Sequence, residues 1–491
     1  MKCLISSGIS VVIASLVFSQ GAVAQDASQL FSANCAGCHG EGLAGGRGPS
    51  LFAEHLLAEH SDDELRGIVA VGIEAGGMPS FKDVLSGGQI ALIVSYLRNR
   101  SGELKNEPVF VPNPDKQILR TRKQSVRIDM VAGGLDTPWG EAFLPDGRLL
   151  VTERSGHIRI IDHGKLLPDP VKGTPIPWVR QDGGYFDVAV HPDYRRNGWV
   201  YLSYSEVVPG YAGPVAETPT TAPPPSMTRI VRGRINSQGE WVDQQDIWKA
   251  DPGFYTAINI HYGSRFLFDG KGHLFFSIGE RGDMTNAQKL STPLGKIHRI
   301  NDDGSVPSDN PFVGQSGAVP TIWSYGHRNP EGLAFDPRTG LMWESEHGPT
   351  GGDEINIIEK GHDYGWGVAT MGLQPGITQQ HASGMDDPVT YYSPAIAPSG
   401  IEFYKGGRYP GWKNNLFLAA LVGQKLLRYE TAGRKIASEE VLFQQFGRTR
   451  SVITGPDGLL YVLVMNPTGR NTGMDLSAAV SGMVVRLMPV K

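Results

Sequence analysis

A turn followed by an apolar strand occurs at Phe268-Asp-Gly-Lys-Gly-His-Leu-Phe-Phe-Ser277. Aspartate and glycine favour turns, and an alternating apolar run is typical of a strand. The same pattern recurs in five other segments, at residues 144–151, 191–203, 335–343, 405–419 and 456–462. A spacing of roughly 50 to 75 residues leaves room for four strands in each unit, and six such units close into a β-propeller. A pair of β-sandwiches is the alternative, which the count of six units disfavours.

The composition agrees with an all-β body. The chain has 491 residues, of which 63 are glycine and 34 are proline. This high content of turn formers, without a collagen period, favours many short strands over long helices. The net charge of −5 offers no basic surface for nucleic acid. Three cysteines are too few for a disulfide scaffold.

Residues 1–24 have the pattern of a signal peptide. Lys2 precedes an apolar stretch over residues 5–18, and Ala22-Val-Ala24 is a small-residue cleavage site. A membrane anchor is the alternative, but the apolar stretch is short for a bilayer, and no later segment is long and apolar enough to form a transmembrane helix. We therefore predict a chain that is exported to the periplasm or secreted.

The segment 25–100 contains the attachment sequence for a c-type haem, Cys35-Ala-Gly-Cys38-His39. Helical patterns flank this sequence, and residues 61–64 form a capping box at the start of one of them. The two thiols would form thioethers to the porphyrin, and His39 would bind the iron. A zinc site needs a second cysteine pair, and a thioredoxin-like pair needs a βαβ pattern, and neither is present. We predict an all-α domain with covalent haem c.

Met78, in Gly76-Gly-Met-Pro79, is the candidate for the second axial ligand of the haem iron. Core packing is the alternative role, because most methionines serve it. Residues 25–100 resemble a small class I cytochrome c over their whole length. That resemblance implies an N-terminal cytochrome c domain in which His39 and Met78 bind the iron, a ligand pair that raises the potential and suits electron transfer.

The rest of the chain divides into a linker and a larger domain. Residues 101–124 contain three prolines and no periodicity, which predicts a semi-extended linker. Residues 125–491 contain all six repeats and would form the propeller. Within one repeat, residues 209–225 include six prolines and have the composition of a disordered insertion.

Ligands of a propeller bind at the mouth of its central channel, so polar residues next to the strand ends are the candidate site. Five such clusters occur, at residues 259–261, 277–282, 325–332, 346–356 and 447–450. The last contains two arginines, which can bind carboxylates bidentately. One cluster alone could be a solvated loop or a salt bridge between blades, but five at equivalent positions favour a functional site.

Residues 130–488 resemble the soluble quinoprotein sugar dehydrogenases, the glucose/sorbosone dehydrogenase group that includes the aldose sugar dehydrogenases. Three stretches carry the resemblance, at residues 295–311, 326–333 and 353–366. They include Gly326-His-Arg-Asn-Pro-Glu-Gly-Leu333. The resemblance implies pyrroloquinoline quinone (PQQ) held with calcium at the mouth of a six-bladed β-propeller.

The resemblance also implies roles for individual side chains. His261 would be the general base, oriented by Glu280, and would take the proton of the C1 hydroxyl of an aldose. Arg328, beside Asn329, would polarise the quinone. Arg448 and Arg450 would bind the quinone carboxylates. The backbone carbonyls of Gly348 and Pro349 would bind the calcium shared with the quinone. The Glu354 carboxylate and the Tyr364 carbonyl would bind a second, structural calcium.

The sequence departs from the family pattern at four positions. Asp182 replaces the glutamine that orients the base, and it stays a candidate contact of the cofactor site. Val422 aligns with a lysine that supports the quinone, Ser451 with an aspartate, and Glu280 with a residue that is aspartate in many relatives. These departures leave the choice of sugar and the affinity for quinone open.

The expected function is therefore that of a periplasmic quinohaemoprotein. It would oxidise an aldose to a lactone and pass electrons through the haem to a downstream acceptor in the periplasm or the respiratory chain. A calcium-dependent lactonase on the same fold is one alternative, but it needs neither the arginine pair nor a covalent haem. A non-catalytic binding propeller is another, which the retained His261 and Arg328 disfavour.

Overall fold

The computed structural model describes residues 27–39, 43, 48, 51, 60–73, 77–104, 114–213, 223–422, 424–444, 446–465 and 481–490. The predicted signal peptide, most of the predicted linker's first half and the centre of the proline-rich insertion lie outside these residues. Among the residues described, no helix is long and apolar enough to cross a membrane.

The N-terminal part of the chain is helical. Its helices are α1 (Ala27–Asn34), α2 (Ala36–His39), α3 (Asp62–Val71) and α4 (Gly87–Leu104). Ser61 caps α3, because its hydroxyl accepts from the Glu64 backbone N–H while the Glu64 carboxylate accepts from the Ser61 N–H, as the capping box predicts. Phe31 and Ile93, which are fully buried, belong to a small apolar core shared by the helices.

Six antiparallel sheets follow, and five of them have four strands each. In chain order these five are β3 (Pro138–Phe143), β4 (Leu149–Glu153), β5 (His157–Asp162) and β6 (Lys165–Leu166); β7 (Tyr185–Val190), β8 (Val200–Val207), β9 (Ser226–Ile235) and β10 (Trp241–Lys249); β11 (Phe266–Phe268), β12 (His273–Ile278), β13 (Lys296–Asn301) and β14 (Ile322–Tyr325); β15 (Pro330–Phe335), β16 (Met342–Glu346), β17 (Asp353–Ile358) and β18 (Thr390–Tyr392); and β19 (Pro398–Phe403), β20 (Leu416–Ala420), β21 (Lys425–Ala432) and β22 (Lys435–Gln444).

The sixth sheet closes the ring. It contains β23 (Arg448–Thr454), β24 (Leu460–Met465) and β25 (Gly482–Val490), together with β1 (Ile118–Arg120) and β2 (Ser125–Leu135) from the other end of the domain. Strand β2 pairs antiparallel with β25, so the two ends of the propeller are held by one ladder of backbone hydrogen bonds. The inner strand of each sheet contacts the inner strand of the next, which forms a ring around the channel. These inner strands are β3, β7, β11, β15, β19 and β23.

The turns of the repeats explain why the pattern begins with aspartate and glycine. Asp269 Oδ1 accepts from the backbone N–H of Lys271 at 2.7 Å and of His273 at 3.1 Å, which closes the turn before β12. Gly270 has φ +70°, a conformation that glycine adopts without steric cost. The six-bladed β-propeller and the helical N-terminal domain predicted from the sequence are confirmed.

The segment predicted as a linker is more regular than expected. Helix α4 continues to Leu104, and β1 pairs with β2 through Leu119 opposite Val126. A strand of three residues is too short to show a period, so only its pairing partner reveals it.

Candidate functional site

One cavity of about 730 Å³ lies between the helical domain and the mouth of the propeller. Residues of both domains line it. They include the haem-site residues Cys35, Cys38, His39 and Met78 and the propeller residues Asp182, Arg328, Asn329, Gly348, Pro349, Arg448 and Arg450. The cavity thus brings together most of the site residues predicted from distant parts of the sequence.

The haem-site residues lie on a short helix and a facing loop. Helix α2 carries Cys38 and His39, and neither Cys35 nor Cys38 forms a disulfide. Gly48 packs against the His39 ring, where a Cβ atom would lie 2.9 Å from the imidazole. Across the cavity, Met78 exchanges two backbone hydrogen bonds with Ile73, of 3.0 and 2.9 Å. Two thiols that form no disulfide, an adjacent histidine and a methionine around an open cavity fit a covalent haem.

The predicted base is paired with its predicted partner. His261 Nδ1 lies 2.5 Å from Glu280 Oε1, and both side chains are almost fully buried. Burial raises the pKa of Glu280 to about 7, although the nearby Arg328 lowers it. His261 has φ +56°, and its carbonyl oxygen lies so close to Gly279 that a Cβ atom there would approach to 2.3 Å. The pair lies beside the cavity wall, to which the flanking Ile260 and Tyr262 contribute.

Asp182 contacts the base through the backbone instead of the ring. Its Oδ2 accepts from the His261 N–H at 3.1 Å, and its own N–H donates to the Asn259 carbonyl at 3.1 Å. Asp182, whose side chain is shorter than glutamine, therefore holds the loop that carries the imidazole. In the family, a glutamine at this position is expected to orient the base.

Arg328 and Asn329 are fixed by the carboxylate of Glu346, which belongs to the predicted cluster 346–356 but has no predicted role there. Glu346 Oε2 accepts from the Arg328 N–H at 2.6 Å and from the Asn329 N–H at 3.2 Å. The Asn329 side chain also accepts from Gly263 N–H at 3.0 Å and donates to Glu331 at 2.9 Å. Asn329 thereby links the segment that follows His261 to the start of β15.

The two arginines of the 447–450 cluster have different surroundings. Arg450 is buried, forms a 2.8 Å ion pair with Glu331, and lies 4.0 Å over the Trp139 ring. Its Nε is buried with no hydrogen-bond partner among the described residues. Arg448 also lines the cavity and is 8% exposed. A cavity with two guanidinium groups, one of them with an open donor, fits a ligand that carries carboxylates, as PQQ does.

The carbonyl groups predicted to bind calcium lie on a tight loop at the cavity wall. Gly348 and Pro349 line the cavity, and Asp353 Oδ1 accepts from the Gly348 N–H at 2.8 Å. Asp353 Oδ2 also accepts from the N–H groups of Ile396 and Ala397. The Asp353 carboxylate is therefore used by the backbone, which leaves carbonyl oxygens as the donors for a cation.

The residues predicted for the second calcium line a separate small cavity. Glu354 and Tyr364 line it together with Glu346, and its volume of about 10 Å³ suits one water-sized particle. Behind it, His327, Glu344 and Glu346 place their ligand atoms within 4.8 Å of one another. Burial, and then the neighbouring Glu346, raise the pKa of Glu344 and of Glu354. Such a cluster fits a cation, because unpaired buried carboxylates are costly.

The sequence contained a signal for Glu344 and Glu346, of which only Glu346 falls in a predicted cluster. The two acids alternate within the buried strand β16, so both point to the same side of the sheet. Paired acids in a buried strand predict a bound cation or a hydrogen-bond network. Val422 lies at the cavity wall as expected from its alignment, and offers no charge to a ligand.

The comparisons with known proteins agree with this geometry. Residues 135–474 match the family model described as Glucose / Sorbosone dehydrogenase, and residues 22–97 match that of Cytochrome C oxidase, cbb3-type, subunit III. The Aldose sugar dehydrogenase YliI of Escherichia coli is 38% identical over 355 residues, which cover 70% of this chain and 91% of that protein.

Two solved structures have the same architecture. The apo form of the soluble aldose sugar dehydrogenase from Escherichia coli has a TM-score of 0.65 at 35% identity, covering 74% of this chain and 100% of that chain. The PQQ-bound aldose sugar dehydrogenase from Streptomyces coelicolor has a TM-score of 0.57 at 28% identity, covering 77% and 99%. This chain therefore belongs to the glucose/sorbosone dehydrogenase family of PQQ-dependent sugar dehydrogenases, to which it joins an N-terminal cytochrome c domain.

Proposed function

We propose that this enzyme oxidises the C1 hydroxyl of an aldose to a lactone and transfers the electrons to its own haem. The observation that carries the proposal is one cavity lined by the haem-site residues of one domain and by Arg328, Arg448 and Arg450 of the other. The buried His261–Glu280 pair lies beside its wall. A lactonase would have no use for this arrangement.

The proton chemistry is assigned to the His261–Glu280 pair. With Glu280 ionised, its carboxylate accepts the Nδ1–H of His261 and leaves Nε2 as the base for the C1 hydroxyl. The same carboxylate then stabilises the imidazolium that forms. Arg328 contributes positive charge near the oxygen that develops negative charge during oxidation.

The other residues of the cavity hold the cofactors. Arg448 and Arg450 would bind the quinone carboxylates, and the carbonyl groups of Gly348 and Pro349 would bind calcium. Bound PQQ would supply the hydride acceptor, and calcium would supply further positive charge. Glu354 and the Tyr364 carbonyl, with Glu346 nearby, would hold a second calcium that stabilises the loops of this blade.

The electron transfer is assigned to the direct approach of the two domains. At Gly77, next to Met78, a Cβ atom would lie 3.0 Å from Gln181 Nε2 and 3.4 Å from the Ile260 side chain. Gln181 and Ile260 directly precede Asp182 and His261 in the chain. Sugar oxidation releases two electrons and a haem accepts one, so the cytochrome would be reduced twice in each turnover. Export to the periplasm, where a further acceptor would reoxidise the haem, rests on residues 1–24.

The test uses the full-length protein with covalent haem, loaded with PQQ and calcium. Addition of an aldose should produce the absorption bands of reduced haem, and no reduction should follow from a sugar methylated at the anomeric oxygen. Hydrolysis of lactones without haem reduction by any of a panel of aldoses would contradict the proposal.

A further inference from the structure

Arg281 is a buried cation with no ion-pair partner in the described part of the chain. It is 0% exposed, and burial lowers its pKa, while the charges of Asp182 and Glu280 act on it through space without an ion pair in the described part of the chain. Burial of an arginine without a paired carboxylate is costly and requires compensating hydrogen bonds. The buried guanidinium group of Arg281 therefore depends on hydrogen bonds to other acceptors.

The acceptors of Arg281 are backbone carbonyl groups around the base. Its Nε donates to the Ile260 carbonyl at 2.9 Å, and its Nη2 donates to the Ile258 carbonyl. Its Nη1 donates to the Ser226 carbonyl on β9 at 3.1 Å, and the guanidinium lies 3.6 Å over the Tyr262 ring. In the loop 258–262, which carries His261 at positive φ, this planar group thus hydrogen-bonds the backbone before the base and stacks on the Tyr262 ring after it.

The position of Arg281 in the chain couples this loop to the imidazole ring. Glu280, the preceding residue, binds His261 Nδ1, so one turn fixes both the ring and the backbone that bears it. We propose that Arg281 is a positioning residue for the base, holding His261 at the geometry that proton transfer from the sugar requires. The inference rests on the proposed function.

Displacement of a catalytic group by about 1 Å can cost roughly 100-fold in rate. Arg281→Met should therefore lower kcat about 10- to 100-fold with an artificial electron acceptor, while KM for the aldose changes less than about threefold. Arg281→Lys keeps the charge but cannot bind two carbonyls in one plane, so it should also lower kcat. The deuterium isotope effect at C1 should rise in Arg281→Met if proton and hydride transfer have become slower than the other steps.

A titration of the apo protein provides a readout that does not depend on activity. The charged groups around the His261–Glu280 pair are Arg281 and Asp283 on the turn of Glu280, Arg328 from the start of the next blade, and Asp182, which accepts from the His261 N–H. Displacement of the His261 ring from Glu280 should move the titration midpoint of the His261 side-chain nitrogen signals, measured by NMR, in both Arg281→Met and Arg281→Lys. Because Arg281→Lys keeps the charge, a shift in that variant reports displacement and not loss of charge.

Arg428→Met is the matched control, because Arg428 is equally buried but bonds Glu440 in another blade. It should lower the melting temperature without changing kcat or the His261 titration. Arg281 variants with unchanged kcat and an unchanged His261 titration would overturn the proposal. If Arg281→Met does not fold, the result for Arg281→Lys decides. If the wild type oxidises no aldose, the proposed function fails, while the NMR titration still decides the positioning role.

Discussion

At the residue scale, the paired His261 and Glu280 are the groups to which the proposed proton transfer is assigned. Their 2.5 Å contact is buried, so neither side chain can exchange its partner for water. Replacement of the base should therefore remove proton transfer and little else. We expect His261→Ala to retain the haem spectrum and PQQ binding but to lose at least about 100-fold in sugar oxidation, measured with an artificial acceptor. Near-normal turnover would show that another group is the base.

The raised pKa of Glu280 predicts a pH dependence. Below about pH 7 the carboxyl is protonated and donates to His261 Nδ1, which leaves the ring proton on Nε2 and blocks the base. Above about pH 7 the carboxylate accepts from Nδ1–H, and Nε2 is free to act. The ratio kcat/KM should therefore rise with pH through about 7.

The variant Glu280→Gln tests this assignment, because an amide does not ionise in this range. Its kcat/KM should be lower than that of the wild type and should lose the rise that Glu280 causes. The pH profile of Asp283→Asn, on the same turn, serves as the control for a change of charge alone. A profile of Glu280→Gln that matches the wild type would contradict the role of Glu280.

The arginine pair predicts a defect in cofactor affinity. Each charge-assisted hydrogen bond is worth roughly 1.5–3 kcal/mol, so Arg448→Ala should weaken PQQ binding about ten- to hundredfold. Excess PQQ should partly restore the rate, which titration of the apo enzyme would measure. Arg408→Ala, at an exposed arginine, is the control. Unchanged PQQ affinity in Arg448→Ala would make the arginine structural and favour the lactonase alternative.

At the element scale, strands β16 and β17 place two acids at one small cavity and a third behind it. Glu344 and Glu346 are buried, and Glu354 contributes from the neighbouring strand directly opposite Glu346. Without a cation, these carboxylates repel one another or must be protonated. The strands are therefore expected to depend on calcium for part of their stability.

Chelation should lower the melting temperature of the apo-quinone protein. A ligand present at 100 times its Kd stabilises a protein by about 2.7 kcal/mol, which sets the scale of the loss. Calorimetry with and without a calcium chelator measures the effect. Glu354→Gln should reduce the sensitivity to the chelator, whereas Glu359→Gln, at a partly exposed acid just beyond β17, should retain it. Equal sensitivity of both variants would argue against the site.

At the scale of the whole molecule, the two domains share one cavity, so a haem held by Cys35 and Cys38 would be present to the propeller site at a high effective concentration if it is the acceptor that we propose. Haem reduction after mixing with sugar should therefore be first order, with a rate that does not depend on enzyme concentration in stopped-flow experiments. A rate that rises in proportion to enzyme concentration would mean that haem is reduced between molecules.

Two variants separate the domains' contributions to this transfer. Cys35→Ala/Cys38→Ala should lose the covalent haem and keep sugar oxidation with an artificial acceptor. Met78→Ala should keep the haem, lower its potential and slow onward transfer, because methionine ligation raises the potential. Loss of acceptor-linked sugar oxidation in the double variant would show that the cytochrome supports the propeller structurally.

The local features could be predicted from the order of residues alone. The six turn-and-strand repeats specified a six-bladed propeller, because their chemistry acts within about ten residues of the chain. The Cys-x-x-Cys-His sequence specified a haem site for the same reason. The β2–β25 ladder could not be predicted in this way, since the two strands lie at opposite ends of the domain. The strand β1 could not be predicted because it has only three residues.

Which distant side chains meet could be seen only in the folded chain. It paired Arg450 with Glu331, placed Glu346 under the backbone of Arg328, and brought Arg281 to the carbonyl groups of the base loop. It also placed the Met78 loop against the residues that precede Asp182 and His261. Such contacts join strands of different blades and different domains, and their energy depends on distance and burial, which no local pattern of residues encodes.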